Sequence, residues 1–143
     1  MSENVAKARR LWEEMFPAMD LNGVAEIVAA DGVDHTARPG EQQGVEGVRN
    51  TMRFLDAAFS DQRFDVHQTV EEGDTVVVHF THSGRHTGAL MGLAPTNRTF
   101  SYQHIHILRF EGGKVVELWG VHDHLSFMQQ LDALPSPLHS AVG

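Results

Sequence analysis

The chain contains no cysteine among its 143 residues. A disulfide framework, a thiolate metal site and a cysteine nucleophile are therefore excluded. A long hydrophobic run is also missing, because the N-terminal segment MSENVAKARRLWEEMF mixes charged with apolar residues, unlike a signal peptide or a membrane span. We therefore expect a cytoplasmic protein that has no membrane partner.

Basic residues are few. Eleven Lys and Arg face 19 Asp and Glu, which gives a formal charge of −8. This charge would repel a phosphate backbone, and no basic cluster offsets it, so nucleic acid is not expected as a partner. The sequence also has no Gly-x-Ser-x-Gly nucleophile elbow and no glycine fingerprint of a nucleotide site, which argues against nucleotide and dinucleotide cofactors.

Histidine, in contrast, is abundant. The chain has ten histidines, and several lie between His79 and His124, where the hydrophobic pattern is also strongest. The ordinary pKa of an imidazole, about 6.5, allows it to take up or release a proton near neutral pH. This cluster is therefore the first candidate for the chemistry of the protein.

Helical spacing dominates the first part of the chain. Apolar residues recur every three or four positions from Val5 to Met19, with Ser2 as a candidate N-cap. A second, short helix is predicted from Asn22 to a break at Asp31-Gly32, followed by a brief extended piece, VDHTA. A third helix is predicted from Val45 to Ser60-Asp61.

Strand patterns dominate the second part. The segments are rich in β-branched and aromatic residues, and Glu72-Gly73-Asp74 and Glu111-Gly112-Gly113-Lys114 are short enough to be hairpin turns. A last helix is predicted over 124–131, before a loosely ordered tail over 135–143. The length fits one domain spanning 1–143, of the α+β class, with about three N-terminal helices on a mostly antiparallel sheet.

One strand carries bulky residues on both faces. By the two-residue period of a strand, one face holds Phe100, Tyr102, His104, His106 and Leu108, and the other holds Ile105, Ile107 and the stem of Arg109. The first face is expected to line a pocket under the helices. Because an apolar outer face of this size is typical of an interface, we expect the second face to form a homodimer.

Three segments carry a family resemblance: SGRHTGALMGLAPTNRTFSY, ILRFEGGKVVELWGVHDHLSFMQQLDAL and VDHTARPGEQQGVEGVRNTMRFL. They resemble the SnoaL-like polyketide cyclases, a branch of the nuclear-transport-factor-2-like fold, and the resemblance covers residues 5 to 134. It implies a cone of helices on a curved sheet, no cofactor, and acid-base catalysis of an aldol-type ring closure, or a related enolisation or isomerisation, of a hydrophobic polyketide-like carbonyl compound.

The resemblance also implies roles for individual residues. The acid that removes a proton next to the carbonyl matches Asp123, since a carboxylate among apolar walls becomes more basic. Asp123 is equally placed to be the N-cap of the helix that follows. His104 and His106 share a strand face and are expected to hold and protonate the oxyanion, although they can also be packed core histidines.

Further residues are expected to bind the substrate. His35 and His86 would orient its polar groups, and His82 is a weaker candidate; each has an alternative role in holding the structure together. The apolar walls would come from Tyr102, Trp119, Phe54, Phe16, Trp12, Met52 and Met91, all of which are also ordinary core residues. His67, His79 and His139 are expected to be structural or exposed.

Three rival functions are also compatible with the sequence. His104 and His106 with His122 or His124 could bind a divalent metal, but the Glu that usually follows such a pair is missing, and we expect no metal. An epoxide hydrolase of the same fold would need an Arg-x-Asp on a late strand, which we do not find. A binding protein without chemistry would use the same pocket and would need no base.

Overall fold

The chain begins with a helical segment that covers one face of the sheet. In the computed structural model, which describes residues 1–133, this segment comprises α1 (Glu3–Arg10), a π-helical turn (Leu11–Met15) and α2 (Phe16–Ala18). Ser2 is its N-cap, since its side chain accepts a hydrogen bond of 3.0 Å from the Val5 N–H. The first predicted helix is confirmed, and the π-helical turn within it was not predicted.

The second helix is shorter than predicted. α3 spans Val24–Ile27, and the chain becomes extended at Val28, where β1 (Val28–Asp34) begins. Asp31-Gly32 therefore lies inside a strand and does not end a helix. The reason is tertiary: β1 pairs in parallel with the strand at 114–122, Val28 opposite Val115, and this pairing overrides the weak helical pattern.

The third helix, α4, spans Gly44–Ala58 and leads directly into β2, Phe59–Glu72. The predicted helix end at Ser60-Asp61 is thus slightly late. Both residues belong to β2, at a point where its pairing register with the next strand shifts. The local sequence correctly indicated an irregularity at Ser60-Asp61, but this irregularity lies within β2 and does not end α4.

The remaining strands complete a five-stranded sheet. β3 spans Thr75–His86, β4 Thr99–Glu111 and β5 Lys114–His122, and the spatial order is β1-β5-β4-β3-β2. Every neighbouring pair is antiparallel except β1 and β5. Both predicted hairpin turns are present, with Gly73 at φ 59° and Gly112 and Gly113 at φ 60° and 80°, where glycine is favoured.

The helices pack on the concave face of this sheet. One buried cluster lies under the N-terminal helices and includes Trp12, Met52, Phe80, Leu108 and Phe110. A second cluster lies at the other end, where α5 (His124–Gln130) packs Phe127 against Phe59, Phe100 and Tyr102. The predicted α+β class, with helices on a curved and mostly antiparallel sheet, is confirmed.

The opposite, outer face of the sheet carries apolar residues exposed to solvent. Ile105, Ile107 and Val121 are 43%, 38% and 62% exposed, whereas their strand neighbours Tyr102 and Leu108 are buried. The alternation predicted for β4 is therefore confirmed.

No helix within residues 1–133 has the length and apolar character that crossing a bilayer requires. The tail predicted over 135–143 lies outside the described residues.

Candidate active site

A cavity of about 130 Å³ lies between the helices and the concave face of the sheet. Its walls are mostly apolar and come from the helical segment 3–18, from α4 and from β3, β4 and β5. Val33, Glu41, Gln42 and Gln43 also line it and are exposed, so the cavity reaches solvent beside the loop before α4. It has the features of a small-molecule site, an apolar hollow with a few polar groups.

His104 and His106 are the histidines that line this cavity. They are two residues apart on β4 and project to the same face, as the strand period requires. Their rings are nearly parallel, with centroids 5.5 Å apart, and His104 Nδ1 lies 3.3 Å from His106 Nε2. We refer to these two residues as the histidine pair. One ring N–H donates to the other ring's nitrogen, which joins the two imidazoles.

Aromatic rings hold the histidine pair in place. Phe80 stacks on both imidazoles, at 4.8 Å from His104 and 5.4 Å from His106. Trp12 packs on His106 with its ring centroid 4.8 Å away. The pair is thereby oriented by packing rather than by a carboxylate.

The outer nitrogens of the pair are unsatisfied within residues 1–133. His104 Nε2 and His106 Nδ1 are buried and make no hydrogen bond to any residue of that range. Buried polar atoms are usually satisfied, and those that are not often belong to a functional site. The pair therefore has two unsatisfied nitrogens, one at each outer end.

Gly120 on β5 makes room for the second ring. It lies opposite His106 in the β4–β5 pairing. A Cβ at this position would lie 2.6 Å from His106 Cε1 and 2.7 Å from His106 Nδ1, closer than real side chains approach. Because residue 120 has no side chain, the His106 ring can occupy this position.

Both imidazoles are neutral at physiological pH. Burial lowers the pKa of His104 to about 2, and the nearby His106, His122 and His82 contribute to this effect. Burial also lowers the pKa of His106 to about 3, with a contribution from His122. A low-dielectric wall disfavours an imidazolium here, so the pair acts as a neutral donor and acceptor.

Asp123 lies outside this cavity, contrary to the prediction that it faces the same hollow as the histidine pair. It follows the end of β5, is exposed, and is the N-cap of α5. Its Oδ1 accepts a hydrogen bond of 3.1 Å from the Ser126 N–H. The geometry is that of the capping alternative, in which the carboxylate satisfies a free N–H of the first helical turn.

His122 and His124 flank Asp123. The His122 ring stacks on His104 with centroids 5.0 Å apart, and its Nε2 lies 3.3 Å from His124 Nδ1. Neither residue lines the cavity. Within residues 1–133, no group of three or more His, Cys, Asp or Glu side chains is arranged to hold a metal ion.

His82 and Tyr102 form a separate buried polar group behind the cavity. His82 Nδ1 lies 3.0 Å from the Tyr102 hydroxyl, and His82 Nε2 donates to Gln62 Oε1 at 2.9 Å. Burial lowers the pKa of His82 to about 3, with a further contribution from His122, and raises that of Tyr102. Neither residue lines the cavity; Tyr102 belongs to the second buried cluster, and His82 packs on the Phe59 and Phe100 rings of that cluster.

His86 is buried and holds the loop after β3. Its Nδ1 accepts a hydrogen bond of 3.2 Å from the Thr96 N–H and lies 3.0 Å from the Thr96 hydroxyl. It does not line the cavity. Its position fits the structural alternative for this residue and not contact with a substrate.

A charged group stands beside the cavity mouth. Glu117 contributes to the lining and accepts hydrogen bonds from Arg109 Nε and from His35 Nε2, the latter at 3.2 Å. The pKa of Glu117 is lowered chiefly by the Arg109 hydrogen bond and then by His35, which makes this carboxylate a weak base. The His35 ring stacks on Trp119 at 4.6 Å, so these two predicted residues lie near the mouth but outside the lining.

The predicted apolar walls divide into two sets. Trp12 and Phe16 line the cavity as expected. Met52 is buried in the core without lining it, and Phe54 and Met91 are 44% and 69% exposed. Phe54 points away because the cavity side of α4 carries Val48, Thr51 and Leu55, which recur at helical spacing.

Several residues that shape the site were missed by sequence reasoning. Phe80, Glu117 and Gln43 line the cavity. Gln43 connects two elements, since its Oε1 accepts from the Asp34 N–H and its Nε2 donates to the Asp34 carbonyl at 3.3 Å. The alternation of β3 pointed to Phe80, whereas nothing in the loop sequence marked Gln43.

The comparison with known protein families is consistent with this site. The family model described as SnoaL-like polyketide cyclase matches residues 6–131, a range that contains the cavity and the histidine pair.

Individual proteins show the same likeness. The chain is 30% identical over 117 residues to the aklanonic acid methyl ester cyclase AcmA of Streptomyces galilaeus, covering 80% of this chain and 81% of that protein. It is 31% identical over 81 residues to the nogalonic acid methyl ester cyclase of Streptomyces nogalater, covering 56% and 60% of the two chains. The solved structure of TsrD from Streptomyces laurentii matches with a TM-score of 0.84 at 26% identity, covering 92% of this chain and 96% of the other.

Proposed function

The chain belongs to the SnoaL-like polyketide cyclase family, and on this basis we propose that it is a cofactor-independent cyclase. Its reaction would be an intramolecular aldol-type ring closure, or a related enolisation or isomerisation. The substrate would be a hydrophobic, polyketide-like carbonyl compound. Two relatives are named as cyclases of aklanonic acid methyl ester and nogalonic acid methyl ester, which supports this substrate class.

The observation that carries the proposal is a neutral histidine pair in an apolar cavity. An aldol-type closure removes a proton from the carbon next to a carbonyl and delivers a proton to the new alkoxide oxygen. It therefore needs one base and one acid, and no change in total charge. His104 and His106 provide both groups within hydrogen-bond distance of each other.

The surrounding residues support this chemistry. Trp12, Phe16 and Phe80 form apolar walls against which a flat substrate can pack. An N–H of the pair can stabilise the enolate oxygen, and such a hydrogen bond is stronger in a cavity from which water is excluded. At the mouth, His35 and Arg109 both hydrogen-bond to Glu117. This group is placed to orient polar substituents of the substrate.

Asp123 is a poorer candidate than the histidine pair for the group that removes the substrate proton. Its carboxylate is exposed, caps α5 and does not line the cavity, so it is not placed to reach a substrate held there. In our proposal the pair transfers the protons, and Asp123 holds the helix that closes the second core. Variants of these residues separate the two assignments.

The experiment is ring closure of aklanonic acid methyl ester or nogalonic acid methyl ester by the purified protein, followed by chromatography. The wild type is expected to convert at least one of them, and His106→Gln to lose about 10² to 10⁴ in rate, the usual effect of removing a general acid or base. His79→Gln is the matched control, because this histidine lies on the outer face, bonded to Gln103 Oε1 at 2.6 Å.

Three results would contradict the proposal. Full turnover by His106→Gln would remove the histidine pair from the chemistry. If a folded Asp123→Asn variant lost turnover while His106→Gln stayed active, the Asp123 carboxylate would be the group that removes the proton. Tight binding of the ester without any conversion would instead identify a ligand-binding protein.

We further propose that the protein is a homodimer formed through the outer sheet face. Ile105, Ile107 and Val121 expose apolar surface on adjacent strands, and such surface is usually covered in an assembly. Sedimentation at micromolar concentration is expected to give the dimer, and Ile105→Lys to give the monomer. A wild type that sediments only as a monomer would contradict this assembly.

A further inference from the structure

The histidine pair forms a short chain of four nitrogens. The inner two, His104 Nδ1 and His106 Nε2, face each other at 3.3 Å. The outer two, His104 Nε2 and His106 Nδ1, are buried and have no partner in the part of the chain that the structure describes. Among the same residues no carboxylate hydrogen-bonds to either ring to select one tautomer, in contrast to the usual histidine–carboxylate arrangement.

The shared hydrogen bond couples the tautomers of the two rings. A neutral imidazole carries one hydrogen on one of its two nitrogens. If the inner hydrogen is on His104 Nδ1, then His104 Nε2 is a free lone pair and His106 Nδ1 is a free N–H donor. If it is on His106 Nε2, these roles are exchanged. In both arrangements the outer ends offer one acceptor and one donor.

We propose that the histidine pair is a single proton carrier, in which a proton enters at one outer nitrogen while another leaves from the opposite end. This proposal rests on the proposed function. In the ring closure, the C–H bond next to the carbonyl breaks and its proton binds the free lone pair. The inner hydrogen crosses to the other ring, and the hydrogen at the far end passes to the new alkoxide oxygen. The electron pair of the C–H bond forms the new C–C bond.

The environment favours this coupled transfer over two separate steps. A stepwise mechanism would create an imidazolium between Phe80 and Trp12, and burial disfavours that cation strongly, as the low pKa values of both rings indicate. In the coupled transfer each ring loses one hydrogen and gains one, so both stay neutral. After the transfer, each ring carries its hydrogen on its other nitrogen. Proton exchange with water then restores the first tautomeric state.

The test is NMR of the free, full-length protein labelled with ¹⁵N in its histidines, between pH 5 and pH 8. The coupling predicts that both rings stay neutral and that they always have the same tautomer. Both then carry hydrogen on Nδ1, or both on Nε2, or both exchange together. A ring that becomes an imidazolium in this range, or two rings fixed in different tautomers, would overturn the proposal.

Kinetics with the methyl ester substrate provide the second arm. Residues that act as a unit are not additive, so the His104→Gln/His106→Gln double variant should be no more than about threefold slower than the slower single variant. Losses that multiply would show that the two rings act independently and would overturn the coupled transfer. Circular dichroism of each variant checks that it is folded.

The two arms distinguish this inference from the proposed function. If the tautomers were coupled but the protein converted none of the esters, the proposed ring closure would be contradicted. The coupled transfer, which rests on that reaction, would then be contradicted as well. Ring closure by a wild type whose rings titrate separately would leave the proposed function standing and contradict the coupled carrier.

Discussion

Gly120 lies opposite His106 in the β4–β5 pairing, where a Cβ would lie 2.7 Å from the imidazole Nδ1. The backbone of β5 thus forms the wall against which His106 rests. Residue 120 controls the histidine pair without itself providing a polar group. It is a positioning residue, and its substitution tests whether the placement of the ring matters.

Gly120→Ala is expected to displace the His106 ring and break its hydrogen bond to His104. Because both imidazoles remain present, turnover should fall by about 10² or more, as it does for small misplacements of reacting groups. KM is expected to change much less than kcat, since Trp12 and Phe16 still line the cavity. Crystallography or histidine NMR of the variant checks the displacement, and unchanged kcat with a displaced ring would contradict the role of the pair.

Stability is expected to fall in mild acid because of the buried histidines. Burial lowers the pKa of His104 to about 2 and of His106 to about 3. Below pH 6.5 these histidines bind protons in the unfolded chain, whereas in the folded protein they stay neutral down to about pH 3. The free energy of unfolding therefore decreases across this window. At pH 5.5 each such histidine should account for about 1 kcal/mol.

Urea unfolding at pH 7.5 and pH 5.5 measures this effect. The wild type should be less stable at the lower pH, and His106→Gln should show a smaller difference between the two values. An equal difference in wild type and variant would mean that His106 accepts protons as readily in the folded protein as in the unfolded chain.

Asp123 is expected to contribute stability through its cap. Asp123→Ala removes the acceptor for the Ser126 N–H and should lower the free energy of unfolding by about 1 kcal/mol. Asp123→Asn keeps an N-cap oxygen and should be nearly as stable as the wild type. Denaturant unfolding of both variants checks this pair. If both variants were as stable as the wild type, the cap would contribute nothing.

Much of the site follows from the sequence because strand geometry is regular. The two-residue period places His104 and His106 on one face of β4, and the structure confirms that they line the cavity. Residues on regular strands are thus accessible to such reasoning. Gly120 lies opposite His106 only because the β4–β5 register shifts between Arg109 and Phe110, an irregularity that the hairpin turn at Gly112 and Gly113 does not predict.

Other positions depend on details that a pattern does not contain. Asp123 stands at a strand end before a helix, and the sequence is equally compatible with a cap and a base. Phe54 was chosen for its aromatic character, whereas the cavity side of α4 is set by Val48, Thr51 and Leu55. Met91 lies in the loop between β3 and β4, whose path depends on hydrogen bonds such as the one that the Thr96 N–H donates to His86 Nδ1. The cytoplasmic location stays a prediction.

Exchange of the substrate proton with deuterium is the most direct measurement of the central claim, that the histidine pair moves the proton next to the carbonyl. The folded wild type, in D₂O with the methyl ester substrate, is expected to exchange this proton or close the ring. His106→Gln should do so about 10² to 10⁴ times more slowly, and Asp123→Asn at nearly the wild-type rate. Unchanged exchange in His106→Gln, with exchange abolished in a folded Asp123→Asn, would contradict the account.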